Sequence, residues 1–322
     1  MVAKTANSVA QRLELNMRKE RSPWGDAWRQ LLKNKVAVGA GIFLIILVLI
    51  AVFADYIAPY HYAEGNLADN YALPGEKYVL GADFMGRDML SRTIYGAQVS
   101  LAVGFVGAFV SLVIGMAYGL VSGYASSRID NIMMRFVDFL YAMPILIFVI
   151  LLQVFFKAVS RQGTGGPLMQ SLVRIDSAMG GMFFIFIAIG MLNWLQMARI
   201  MRGQVLSYKQ KEFVEAARSI GSSDMRIIFK HLLPNALGPC IVAETLAIPG
   251  YISLEAFLSF LGLGVNAPRP SWGIMISEGY KGVRSYPHLL LAPAVALTLT
   301  ILAFNFLGDG LRDAFDPRLR GE

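Results

Sequence analysis

Five windows of the 322-residue chain, 36–54, 93–127, 139–156, 177–198 and 285–308, contain no Asp, Glu, Lys or Arg, and each is 18 residues or longer. A sixth apolar window, 238–263, holds Glu244 and Glu255, with Pro249 and Gly250 near its middle. One charge at the centre of a bilayer costs about 2.5–3.5 kcal/mol on insertion scales, and a spanning helix needs about 20 apolar residues. Windows of this length and purity point to a bundle of six membrane-crossing helices. Composition agrees, with 56% of residues apolar and 16% charged, where an ordinary soluble domain carries about 25% charged residues. A soluble monomer is excluded, and the expected fold class is an all-α integral membrane protein.

Six spans place both termini on one side. Of the 29 Lys and Arg residues, 20 fall in the N-terminal tail, the second and fourth loops and the C-terminal tail, and nine in the three opposite loops. Cytoplasmic segments carry the Lys and Arg excess, so both termini are expected in the cytoplasm. The net charge of +7 is then a topology signal, and no nucleic-acid partner is inferred from it. The single Cys240 excludes a disulfide framework within the chain, and the scattered His61, His231 and His288 leave little for zinc chemistry and no metal site. The first span starts too late and runs too long for a cleaved signal peptide. The expected organisation is a cytoplasmic tail over 1–35, a first span over 36–57, an external segment over 58–97, a five-span core over 98–310 with a cytoplasmic loop at 199–237, and a cytoplasmic tail over 311–322.

Ahead of the first span, Ser22 and Pro23 stand as N-cap and first helical position, and Trp24, Trp28, Leu31 and Leu32 recur on one helical face. This predicts a short helix in the membrane lipid interface; docking on the bundle is the alternative. In the second span Gly107, Ser111, Gly115, Gly119 and Gly123 recur every four residues and form a close-packing stripe. Such stripes usually mark helix contacts within one subunit.

The loop at 199–237 is expected to be two short helices. Residues 211–220 are good helix formers with Phe213, Ala216, Ala217 and Ile220 on a common face, and Gly221 follows as a left-handed cap. Ser222 and Ser223 can cap a second helix with Asp224 in its first turn, and Pro234 is expected to end it. A basic helix–glycine–helix element outside the bilayer suits docking of a cytoplasmic partner.

Two further sets of residues stand out. Asp83 with Arg87, and Asp88 with Arg92, lie at i,i+4 spacing in the external segment and would pair on a helix. Exposed pairs of that kind are worth only tenths of a kcal/mol, so they are read as ordering a docking surface or a structural cap. Within the bilayer Glu244, Glu255 and Asn305 are costly and are expected to face the bundle interior, either lining a translocation path or pairing inside the fold. Neither the phosphate-cradling loop GxxxxGK[ST], nor HExxH, nor G-x-S-x-G occurs. An ion-coupled secondary transporter predicts inverted repeats, and the halves of this chain show none.

Glu215-Ala216-Ala217, three residues, Gly221, nine residues, then His231-Leu232-Leu233-Pro234 resembles the EAA loop of ABC importer permease subunits. His231 replaces the usual Ile, as in the peptide-importer branch. Leu80-Gly81-Ala82-Asp83 with Gly86-Arg87-Asp88 and Leu90-Ser91-Arg92, the segment 258–264, and the segment 304–313 are similar to the same branch. The resemblance covers about residues 22 to 320 and is to the C-type member of the permease pair, oligopeptide more than nickel. It implies the six-helix type I importer fold in the bacterial cytoplasmic (inner) membrane. It also implies a B-type permease partner, two ATPase subunits that hold ATP and Mg, and an extracytoplasmic peptide-binding protein. Glu215, Ala216, Ala217, Gly221, Ser222, Asp224 and Pro234 would couple to the ATPases, and the chain itself would bind no cofactor and catalyse nothing. A member of the same family carrying nickel or another small solute, or a transporter outside it, is the alternative.

Overall fold

The computed structural model describes residues 23–163 and 166–315. Its elements are helices joined by turns. After α1 (Pro23–Lys33) comes the first long helix, α2 (Lys35–Val52), capped by Asn34, whose side chain accepts from the Ala37 amide at 3.1 Å. A single turn, α3 (Ala54–Ile57), leads to an irregular segment and then to α4 (Met89–Tyr124). At about 1.5 Å per residue α4 is about 54 Å long, well beyond the hydrocarbon thickness. Its first turn, 89–92, lies outside the charge-free window and starts where Asp88 caps it, accepting from the Ser91 amide at 2.7 Å.

The third window departs from expectation. The chain forms α5 (Ser127–Tyr141) and α6 (Ile145–Gln162), bent by 77° at the break between them. The cause is Pro144, which lacks the amide to continue α5 and disfavours helical geometry in the residue before it. The fourth window also shifts: α7 (Pro167–Ala178) ends at Gly180 and Gly181, both at positive φ, and α8 (Phe183–Tyr208) runs ten residues past the charge-free stretch. It can do so because Arg199 and Arg202 find Asp138 and Asp130 on α5. Next come α9 (Glu212–Ser219), α10 (Asp224–Arg226), a π-helical turn (Ile227–Leu232), α11 (Leu233–Phe260), α12 (Trp272–Tyr280) and α13 (His288–Phe315). Among the described residues five helices are long and apolar enough to cross a membrane, and six if the bent pair counts as one span.

The glycine stripe of α4 packs against α8 of the same chain. A Cβ on Gly115 would meet Met197 and the Trp194 carbonyl, and one on Gly123 would meet Val205. On another side Gly104 lies under Ile248 and Ile252 of α11, and these join Val103, Ile185, Ile189 and Trp272 in the main core. At one end of the bundle Ala27, Leu31 and Ala37 pack on Leu311, Ala314 and Phe315, and Gly238 of α11 abuts the Phe315 ring. The two ends of the described chain and the 212–232 loop therefore share that end. The expected face of α1 is split. Leu31 docks on α13 and Trp24 meets Phe315 edge-on at 5.1 Å, while Trp28 and Leu32 point outward. Ser22, its expected cap, lies outside the described residues. At the opposite end Met89, Met275 and Leu289 bury with Leu80 and Tyr71 against them.

Candidate functional site

The two-helix loop begins after α8. In α9 the buried positions are Val214 and Ala217, which pack on Ile227, Leu232 and Val205. The face expected to unite Phe213, Ala216, Ala217 and Ile220 is thus divided: Ala217 is inside, and Phe213, Ala216 and Ile220 are outside. A spacing of three, Val214 to Ala217, sets the inner side, because one short helix over a bundle end can bury only a narrow stripe. Gly221 has φ +78°; its amide bonds to the Arg218 carbonyl at 2.9 Å and the Ser222 amide to the Ala217 carbonyl at 3.0 Å. This is the glycine-terminated helix end anticipated from sequence. Ser223, at the next N-cap, makes no capping bond with its side chain, and Asp224 instead accepts from the Tyr124 hydroxyl.

Pro234 does not end the second helix. The π-helical turn over Ile227–Leu232 widens the helix just before it, with the Leu233 amide bonded back to the Ile228 carbonyl. This shift accommodates the missing amide of Pro234, so 224–260 runs on as one element. The second helix is thereby the base of a membrane-crossing helix. Phe213 and His231 rings lie 6.4 Å apart where the two helices meet. Four large apolar side chains face solvent here: Phe213, Ile220 (82% exposed), Met225 and Phe229. Met225 and Phe229 escaped the sequence reading, although their spacing of four puts them on one helical face.

Beneath the loop, Arg202 grips Asp130 with two bonds of 2.6 Å, Nε to Oδ1 and Nη2 to Oδ2, and Ser122 donates to the same carboxylate at 2.6 Å. Arg199 pairs with Asp138 at 2.6 Å and lies over Tyr141 at 4.1 Å. These contacts tie α5 to α8 across more than 60 residues of sequence, a separation no spacing rule detects.

At the opposite end Asp83, Arg87, Asp88 and Arg92 are buried, not exposed. Asp83 is the hub: Oδ1 accepts from the Met85 and Arg87 amides, and Oδ2 from Arg87 Nε at 2.6 Å and from Arg92 Nη1. Arg92 Nη2 also donates to Glu278 Oε2 at 3.0 Å. The expected Asp88–Arg92 pair does not form, because Asp88 is committed to capping α4 while Arg92 turns to Asp83 and Glu278. Nor is 83–87 helical; the Asp83–Arg87 pair closes a turn whose Gly86 has φ +69° and no room for a Cβ, which would lie 1.8 Å from the Asn66 carbonyl oxygen. A cavity of about 460 Å³ opens beside this cluster between Tyr71, Phe84, Glu278 and Tyr286. Further out, the bond from Lys77 holds the exposed Asp69 carboxyl below its usual range.

Within the spans Glu244 accepts from Tyr251 at 2.7 Å and Ser111 at 3.2 Å, and Glu255 from Ser259 at 2.6 Å and Ser100 at 3.2 Å. Both are buried between α4 and α11, so hydroxyl donors answer their lone pairs inside the fold. Asn305 is half-buried on α13. Among the described residues no group of three or more His, Cys, Asp or Glu is placed to hold a metal ion.

Residues 111–321 match the family described as the binding-protein-dependent transport system inner membrane component, and residues 22–74 match the N-terminal transmembrane domain of oligopeptide transport permease C. The chain is 42% identical over 314 residues to the oligopeptide transport system permease protein OppC of Haemophilus influenzae, covering 97% of this chain and 94% of that one. It is 42% identical to the dipeptide transport system permease protein DppC of Bacillus subtilis, over 92% of this chain and 86% of that one. A methionine ABC transporter solved in an inward-facing conformation aligns over 70% of this chain and 97% of its own, with 20% identity and a TM-score of 0.49.

Proposed function

Because the chain belongs to the family of binding-protein-dependent transport system inner membrane components, in its oligopeptide permease C branch, we propose that it forms half of a peptide path whose opening is driven by ATPase subunits docked on the 212–232 loop. The observation that carries this reading is the set of Phe213, Ile220, Met225 and Phe229, left exposed on a loop whose inner side is packed through Val214, Ala217, Ile227 and Leu232. Burying one such side chain stabilises an interface by about 1.5–3 kcal/mol, which makes it worthless in water and useful against a partner. Ala216, also outward, lets a partner backbone approach closely, and Glu215 beside it supplies an exposed carboxylate at the first turn of α9.

In this reading a B-type permease completes the path, two ATPases bind and hydrolyse ATP, and an extracytoplasmic protein delivers peptide to the end that carries Asp83, Arg87, Asp88 and Arg92. The basic asymmetry supports a cytoplasmic side for the loop and both termini, and the family supports the bacterial inner membrane. Glu244 and Glu255 hold α4 and α11 together, and Asn305, only half-buried, is the better candidate of the three to meet cargo. Ile220→Glu and Phe229→Glu test the docking surface. Membranes carrying either variant should yield the permease in normal amount with its permease partner but with the ATPases lost or reduced about tenfold or more. Full ATPase recovery with both variants would refute the assignment of this surface.

A further inference from the structure

Tyr124 closes α4 and contacts the two-helix loop at three points. Its hydroxyl donates to Asp224, at the start of the second helix. Its backbone carbonyl accepts from Lys209 Nζ at 2.9 Å, just past the end of α8. The ring is approached by two cations, Lys209 Nζ at 5.3 Å and Arg218 Cζ at 5.8 Å from the centroid, the second lying in the last turn of α9. One side chain thus binds the entry to the loop, the end of its first helix and the start of its second. The apolar side of the ring continues into the cluster of Leu120, Val205, Val214, Ala217 and Ile227.

The opposite end of α4 is held as firmly. Arg92, in its first turns and fully buried, reaches Asp83 and Glu278, and Asp88 caps it. Between these ends α4 has no break and no proline over 36 residues. We propose that Tyr124 is a positioning residue that latches the loop to α4, so that loop and helix move as one body and a displacement at the ATPase-facing end is delivered to the Asp83–Arg92–Glu278 cluster. The proposal rests on the permease reading above and adds to it which helix carries the motion and which side chain holds the joint.

The test uses the assembled importer in liposomes, in a Cys240→Ser background. Spin labels at Ser126→Cys and Ser223→Cys, both exposed, report the separation of the α4 end from the loop. With the latch intact that distance should be the same in the nucleotide-free and vanadate-trapped complexes, and Tyr124→Leu should make it broad and state-dependent. A state-dependent distance with Tyr124 in place overturns the latch whether or not peptide is moved, so its failure is separable from failure of the transport reading. For function, Tyr124→Phe removes the hydroxyl with its bond to Asp224 and keeps the ring beneath the cations. Peptide moved per ATP hydrolysed should fall about tenfold, the scale of one hydrogen bond to a charged group, and further with Tyr124→Leu. Asp224→Ala, which removes the acceptor, should add nothing on the Tyr124→Phe background, because both changes break the same bond. An unchanged ratio in the Tyr124 variants, or effects of Tyr124→Phe and Asp224→Ala that add in full, would overturn the proposal.

Discussion

Replacing Gly119 by alanine tests the packing on which the rest of the molecule stands. A Cβ at that position would lie 2.3 Å from the Ala198 carbonyl oxygen, 2.8 Å from Met201 Cβ and 3.0 Å from the Arg202 amide nitrogen. Non-bonded heavy atoms rest about 3.5–4.0 Å apart, so α4 and α8 must separate locally by about 1 Å. Two of the three obstacles are backbone and cannot rotate aside, which places the overpacking cost at the upper part of its range, about 2–3 kcal/mol. Alanine returns about 1 kcal/mol of helix propensity, for a net loss of about 1–2 kcal/mol. Gly203, on α8 itself, has nothing within 4 Å of an added Cβ, so Gly203→Ala gains the propensity term alone, at most about 1 kcal/mol. The two methyl groups should therefore move the thermal midpoint of the purified complex, read by fluorescence-detected gel filtration, in opposite directions. A Gly119→Ala complex that melts at or above the unsubstituted one would show that α4 and α8 do not meet at this register.

Gly221→Val, at φ +78° with free space around it, adds only backbone strain of about 1–3 kcal/mol. It should reach the membrane normally yet lose peptide-stimulated ATP hydrolysis, with Gly221→Asn recovering part of it; full activity of the valine variant would dismiss the loop geometry as a coupling element. Arg87→Ala leaves Asp83 buried with fewer partners, a change that costs about 3–5 kcal/mol for a buried pair, so it should lower the amount of folded chain in membranes, whereas Lys77→Ala, at an exposed pair, should not; equal effects of the two would contradict the burial of the cluster. Single cysteines at Ser207 and Ala267, in a Cys240→Ser background, should react with an impermeant thiol reagent from the inside and the outside of cells respectively, and outside labelling at Ser207 would invert the topology.

Spans are legible in sequence because a bilayer imposes one simple rule, the absence of charge over a helix length, and the windows at 36–54 and 285–308 obey it with little interference. The rule marks which stretches can span, while proline and tertiary contacts decide where each helix bends or ends. The 139–156 window breaks at Pro144, and α8 overruns its window because acidic residues on α5 receive Arg199 and Arg202. The glycine of the loop was readable, since only a left-handed residue fits between two helices so close in sequence. Pro234 misled, because a π-helical turn lets a proline sit inside a continuous helix and nothing local announces that turn. The charged quartet of 83–92 was found by type and its Asp83–Arg87 pair forms, but its burial and the Asp88–Arg92 pair were misjudged. The second partner of Arg92, Glu278, is supplied by a helix almost two hundred positions away. Tyr124 and Asp130 were missed for the same reason.

Purified importer, sealed into liposomes with ATP available to the face that carries the 212–232 loop and the peptide-binding protein with labelled peptide on the other, measures the central claim directly. Accumulation of peptide that requires ATP on the loop side, and stops with Ile220→Glu, is the expected result. Accumulation driven by an ion gradient without ATP, or undiminished when the loop face is denied nucleotide, would contradict it.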